Sequence, residues 1–120
     1  MRFERILVAV NGKDADVEAV KLACDLAKKS KAKVYVVYVI EVNRSLPLDA
    51  VIEPEIETDL IQAREVEPAI VDEAMERDAD LILMGVTYKK RFGTFSLGRV
   101  IPYVLEEAPC RVLLCREPMS

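Results

Sequence analysis

A chain of 120 residues, 52% apolar and 32% charged, holds enough material for one hydrophobic core and too little for two. That composition excludes disorder throughout, and the longest apolar runs, at residues 6–10 and 34–40, are strand-sized and far short of a bilayer span. A net charge of −4, no histidine and three cysteines without a C-x-x-C pair argue against a general nucleic-acid binder, a histidine proton shuttle and a thiolate metal cage.

Arg5–Val10 reads as a short aliphatic strand that ends at the turn pair Asn11-Gly12. A helix follows. Asp14 is placed to cap it, Asp16 and Glu18 suit its positive first turn, and Lys28 and Lys29 suit its last. Its expected apolar stripe is Val17, Val20, Cys24 and Ala27, widened by Leu22 and Leu26. Residues 33–40 form a second strand, apolar on both faces as in the middle of a parallel sheet.

Residues 41–54 hold two prolines and room for one or two helical turns, not for a long helix. Residues 55–62 then alternate, with Ile56, Thr58 and Leu60 on one face and Glu55, Glu57 and Asp59 on the other. That pattern is a strand with one wet face. Pro68 suits the first turn of the next helix, whose stripe is Val66, Ile70 and Ala74, flanked by Val71 and Met75. An apolar strand at 80–84 runs straight into Gly85. Residues 98–107 read as a last helix with Pro102 near its first turn, Pro109 stops it, and Arg111–Arg116 is the final strand. Strand and helix alternate, which predicts an α/β domain over residues 1–120 with an open parallel sheet and helices on both faces.

In such sheets a ligand lies at the carboxyl ends of the strands, where their order reverses. The first strand ends at Asn11-Gly12 and the fourth at Met84-Gly85, so a cleft is expected between those turns. Charge points to the same place. Twelve acids face only Arg64 and Arg77 between Asp49 and Asp80, whereas residues 85–99 carry Lys89, Lys90, Arg91 and Arg99 and no acid. Gly85 lets a ligand approach the backbone, and Gly98 opens a helix whose first amides favour an anion. A solvated basic loop, with glycines that serve only the turns, explains the same residues without a ligand.

Three stretches carry a family resemblance: Ile-Leu-Val-Ala-Val-Asn-Gly at 6–12, Ala-Asp-Leu-Ile-Leu-Met-Gly at 79–85 and Ala-Pro-Cys-Arg-Val-Leu-Leu at 108–114. Together, and over nearly the whole chain, they resemble the universal stress protein domain. The resemblance implies a Rossmann-like sheet of five parallel strands in the order 3-2-1-4-5. ATP-binding members of that family carry Gly, two residues, Gly, nine residues, Gly and then Ser or Thr. Here Gly85 takes the first position, Tyr88 the second, Gly98 the third and Arg99 the hydroxyl position. The acid that ends the family's first strand falls on Asn11, and the adenine pocket uses backbone at positions matching Ala9 and Val39. The implied site is therefore Ala9, Asn11, Val39, Gly85, Tyr88, Gly98 and Arg99.

The departures have physical consequences. Tyr88 puts bulk where bare backbone would curl around phosphate, and Asn11 loses a carboxylate acceptor. Arg99 either replaces the hydroxyl as a phosphate partner or fills the pocket itself. ATP held in the family's usual way is not expected, and a remodelled site for another nucleotide or an anion remains open. The short crossover at 41–54 would uncover one face of the third strand, with Glu55, Glu57 and Asp59 keeping it soluble. No metal site is expected there, because no other segment supplies converging ligands.

The expected function is a non-catalytic stress-response or regulatory module, cytoplasmic, and homodimeric through the last strand as family members often are. The alternatives are a protein-interaction domain with no small ligand and a weak nucleotide hydrolase. Against the hydrolase stand the missing histidine, the interrupted glycine motif and the lack of paired acids near the basic loop. Neither a nucleic acid nor a membrane is expected as a partner.

Overall fold

Each of the five stretches read as strands forms one. A computed structural model describes residues 2–41, 57–63, 65–87 and 98–116. The strands are β1 (Arg5–Val10), β2 (Lys33–Glu41), β3 (Glu57–Ala63), β4 (Leu81–Val86) and β5 (Arg111–Arg116), and the helices are α1 (Ala15–Ser30), α2 (Val66–Glu76) and α3 (Val100–Glu107). All neighbouring strands pair in parallel, in the order β3-β2-β1-β4-β5. The order reverses at β1, which has β2 on one side and β4 on the other.

Strand alternation sorts the core into two layers. Ile6, Val8, Leu81 and Leu83 face α1. Leu7, Ala9, Val37, Val39, Ile82 and Met84 face α2 and α3, where Ile70, Val71, Ala74 and Val104 close over them. Among the described residues no helix is long and apolar enough to cross a membrane.

Four local expectations need correction. The buried stripe of α1 is Ala15, Ala19, Ala23 and Ala27, and Val17 is 57% exposed on the opposite side. Small side chains let the helix sit close to the sheet, and the larger Val20, Leu22 and Leu26 pack along its flanks. On α2, Met75 likewise turns outward. Asp14 makes no capping bond through its side chain. Gly85 is no turn residue: it lies inside β4 and pairs with Cys115.

The wet face of β3 is also reassigned. The register Tyr38↔Leu60 and Val39↔Ile61 puts Ile61 in the layer under α2. Asp59 shares that side, where the Arg77 guanidinium pairs with it. Arg77 also lies over the Tyr35 ring, 4.9 Å from its centroid, and its Nε is 3.3 Å from Glu73 Oε1. Asp59 thus ties an edge strand to a helix and does not solubilise a bare face. The crossover and residues Glu55 and Ile56 lie outside the described residues.

Candidate functional site

Where β1 and β4 part at the reversal of strand order, their carboxyl ends open a cleft of about 550 Å³. Its floor is apolar: Ala9 and Val39 from the strand ends, Met84 and Val86 from β4, and Val66 and Ile70 from α2. The run from Gly98 to Ile101 forms one wall, and Asn11, Lys13 and Tyr38 form the opposite rim. Ala9, Asn11, Val39, Gly85, Gly98 and Arg99 all line this one cavity. Tyr88 lies outside the described residues, as do Lys89, Lys90 and Arg91.

The β1 rim is built by hydrogen bonds to an internal carboxylate. Gly12 adopts φ +83°, a left-handed conformation that glycine takes without strain. The turn directs three backbone amides at Asp16: Asn11 N donates at 3.2 Å, Gly12 N at 2.7 Å and Lys13 N at 3.1 Å. Lys13 N also donates to Asn11 Oδ1 at 3.1 Å. The amides of the loop leading into α1 therefore already hold a carboxylate, one that belongs to the helix itself. Tyr38 closes the corner, because a Cβ on Gly12 would lie 3.0 Å from its hydroxyl oxygen.

At the α3 rim, Gly98 has φ +69°, and no atom of the described residues lies within 4 Å of where a Cβ would stand. Its backbone angle is reason enough for glycine. Arg99 follows, with its side chain 79% exposed and Nε 3.5 Å from Glu67 Oε1. An arginine so exposed does not fill the pocket. Glu67, in the first turn of α2, is the buried partner: its side chain is 13% exposed, and Oε1 is inaccessible and accepts no hydrogen bond among the described residues. The first amides of α3 face the cleft's mouth without helical acceptors, as in any helix start.

Sequence reading missed Lys13, Asp16, Tyr38 and Glu67. Tyr38 was within reach, since it stands beside Val39 at the carboxyl end of β2. The Glu67–Arg99 pair joins two helices, and nothing in the local pattern of either announces it. Cys110 belongs to neither rim: it precedes β5 at the other end of the sheet, and burial, then the Asp80 charge, push its thiol above the ordinary range.

The universal stress protein family model matches residues 2–66 and 52–116. The chain belongs to the universal stress protein family. A universal stress protein of Methanocaldococcus jannaschii is 30% identical over 142 residues, covering 97% of this chain and 84% of its own. That span exceeds the length of this chain, so the family relative carries residues that this one lacks inside the matched stretch. Among solved structures, the family's UspA from Lactobacillus plantarum superposes with a TM-score of 0.77 at 21% identity, covering 97% of this chain and 99% of its own. The universal stress protein from Archaeoglobus fulgidus in complex with dAMP gives 0.64 at 24%, covering 95% and 98%. Both share the five-stranded Rossmann-like fold.

Proposed function

We propose that the cleft between β1 and β4 binds a nucleotide, and that the protein is a non-catalytic regulatory module, cytoplasmic and dimeric through β5. The observation that carries this is the convergence of six separated positions, Ala9, Asn11, Val39, Gly85, Gly98 and Arg99, on one cavity of about 550 Å³. That volume suits a mononucleotide. The apolar floor offers a base its contacts, and backbone at Ala9 and Val39 offers edge hydrogen bonds. The α3 amides, Arg99 and Lys13 offer the charge for phosphate. The dAMP complex of the Archaeoglobus fulgidus relative supports the ligand class.

The absence of histidine from the whole sequence supports a binding role over a hydrolytic one. The test is a thermal shift with adenine and guanine nucleotides, paired with an assay for released phosphate. Adenine nucleotides should raise the melting temperature, with a gain of about 2.7 kcal/mol at a hundredfold excess over Kd. No phosphate should appear above background. Silence across the whole panel would favour the protein-interaction reading, and steady phosphate release would favour the hydrolase.

A further inference from the structure

We infer that Asn11-Gly12 is a site of spontaneous deamidation, and that the Asp16 carboxylate restrains this reaction while the chain is folded. The pair has the chemistry for it. Glycine carries no side chain to obstruct attack by its own nitrogen, and both residues are exposed to the water that the reaction consumes. The Gly12 nitrogen gives its proton to solvent and bonds to Asn11 Cγ. The bond from Cγ to the side-chain nitrogen breaks, ammonia leaves with a proton from water, and a cyclic succinimide remains. Water then opens the ring at either carbonyl, to aspartate or to isoaspartate. The sum is asparagine and water giving an acid and ammonia, with nothing oxidised or reduced.

Two features of the folded turn oppose the first step. Gly12 N already donates to Asp16 Oδ2 at 2.7 Å. Removing that proton would set a negative nitrogen against a carboxylate, and repulsion so close, even under water-like screening, slows the step roughly tenfold. The second feature is geometric. Ring closure needs the Gly12 nitrogen to swing towards Cγ, yet the amides on either side of it, Asn11 N and Lys13 N, donate to the same carboxylate at 3.2 and 3.1 Å. Lys13 N also holds Asn11 Oδ1 at 3.1 Å, so the side chain is tied as well as the backbone. Asp16 stands in the first turn of α1, and the restraint lasts while that turn is formed.

Conversion would change the β1 rim. Asn11 lines the cleft, so either product adds a negative charge there. Isoaspartate also routes the main chain through its own methylene, which carries the neighbouring amides off Asp16.

Incubation of the full chain in warm, mildly alkaline buffer tests this, read by mass spectrometry of tryptic peptides and by enzymatic methylation of isoaspartate. Asn43, the chain's other asparagine, falls in a separate peptide. Folded wild type should convert more slowly at Asn11 than the same chain in urea. Asp16→Ala should convert about tenfold faster than wild type. Asp14→Ala removes a neighbouring acid that makes no side-chain capping bond, and it should keep the wild-type rate. Val104→Ala weakens the buried core on the other face of the sheet, and it should stay well below Asp16→Ala. If Asp16→Ala does not fold by circular dichroism, Asp16→Asn, which loses the charge and keeps the shape, takes its place with the same direction expected. Folded wild type that converts as fast as the unfolded chain overturns the restraint, as does an Asp16→Ala rate no higher than that of Val104→Ala. No conversion at Asn11 even in urea overturns the site itself.

Discussion

Gly85 and Ala15 touch backbone to backbone: a Cβ on Gly85 would lie 2.5 Å from the Ala15 carbonyl oxygen and 2.8 Å from its carbonyl carbon. The contact seats the first turn of α1 against β4, and the loop leading into that turn is the β1 rim of the cleft. Gly85→Ala must therefore push α1 off the sheet. The expected cost is about 2 kcal/mol, in the range of overpacking a close-packed interior, measured as a lower urea midpoint at unchanged slope. A variant as stable as wild type would mean that α1 yields freely and does not set the rim.

Asp16 and Asp14 separate by what their carboxylates reach. Asp16 accepts from three amides, whereas Asp14, at the N-cap position, makes no side-chain capping bond. Asp16→Ala should destabilise by about 1–2 kcal/mol, as for loss of a helix cap, and Asp14→Ala by a few tenths. Urea denaturation of both variants makes the comparison. Equal losses would show that the helix start depends on charge alone and not on these bonds.

The same two aspartates show where the sequence was legible. Strand runs, their order and the family motif placed all five strands and the cleft, because each is a local pattern or a spacing. Which of two nearby acids would bind the backbone depended on a glycine turn at Gly12 that brings the loop amides before α1 round to Asp16. The Ala15, Ala19, Ala23, Ala27 stripe was overlooked because hydrophobicity ranks Val17 above alanine, while the sheet selects by size. Gly85 read as a turn for a related reason: its close neighbour is 70 positions away in sequence. Asp59 read as a solvent-facing acid because Arg77, its partner, lies on another element.

Glu73 should leave a signature in the pH dependence of stability. Burial is the largest influence on its carboxyl and raises its pKa above the ordinary 4.5, although Arg77 pulls it back down. Between 4.5 and the raised value the folded state binds more protons than the unfolded chain, so stability falls as pH rises through that window. Glu73→Gln removes this dependence. Thermal melts should show wild type losing ground to Glu73→Gln as pH climbs from 4.5, with the gap constant once the raised pKa is passed. Parallel curves over the whole range would mean that the Arg77 contact cancels the effect of burial.

Among the described residues, β5 is one of the two outer strands of the sheet. Among those described residues this strand pairs with β4 on one side only, and Val112 and Leu114 pack towards α2 and α3 while Leu113 and Cys115 pack towards α1. Both faces are thus half covered, and an apolar edge strand of this kind is a template for another strand. A second copy of the same edge would satisfy its outward amides. Consecutive amides in a strand point to opposite sides, so of Leu113→Pro and Leu114→Pro one removes an outward donor and the other a bond to β4. The first kind should stay folded and run as a monomer by light scattering, whereas the second should lose stability by circular dichroism. If wild type is already monomeric at roughly tens of micromolar, the range of a weak specific contact, the β5 edge is not the dimer interface.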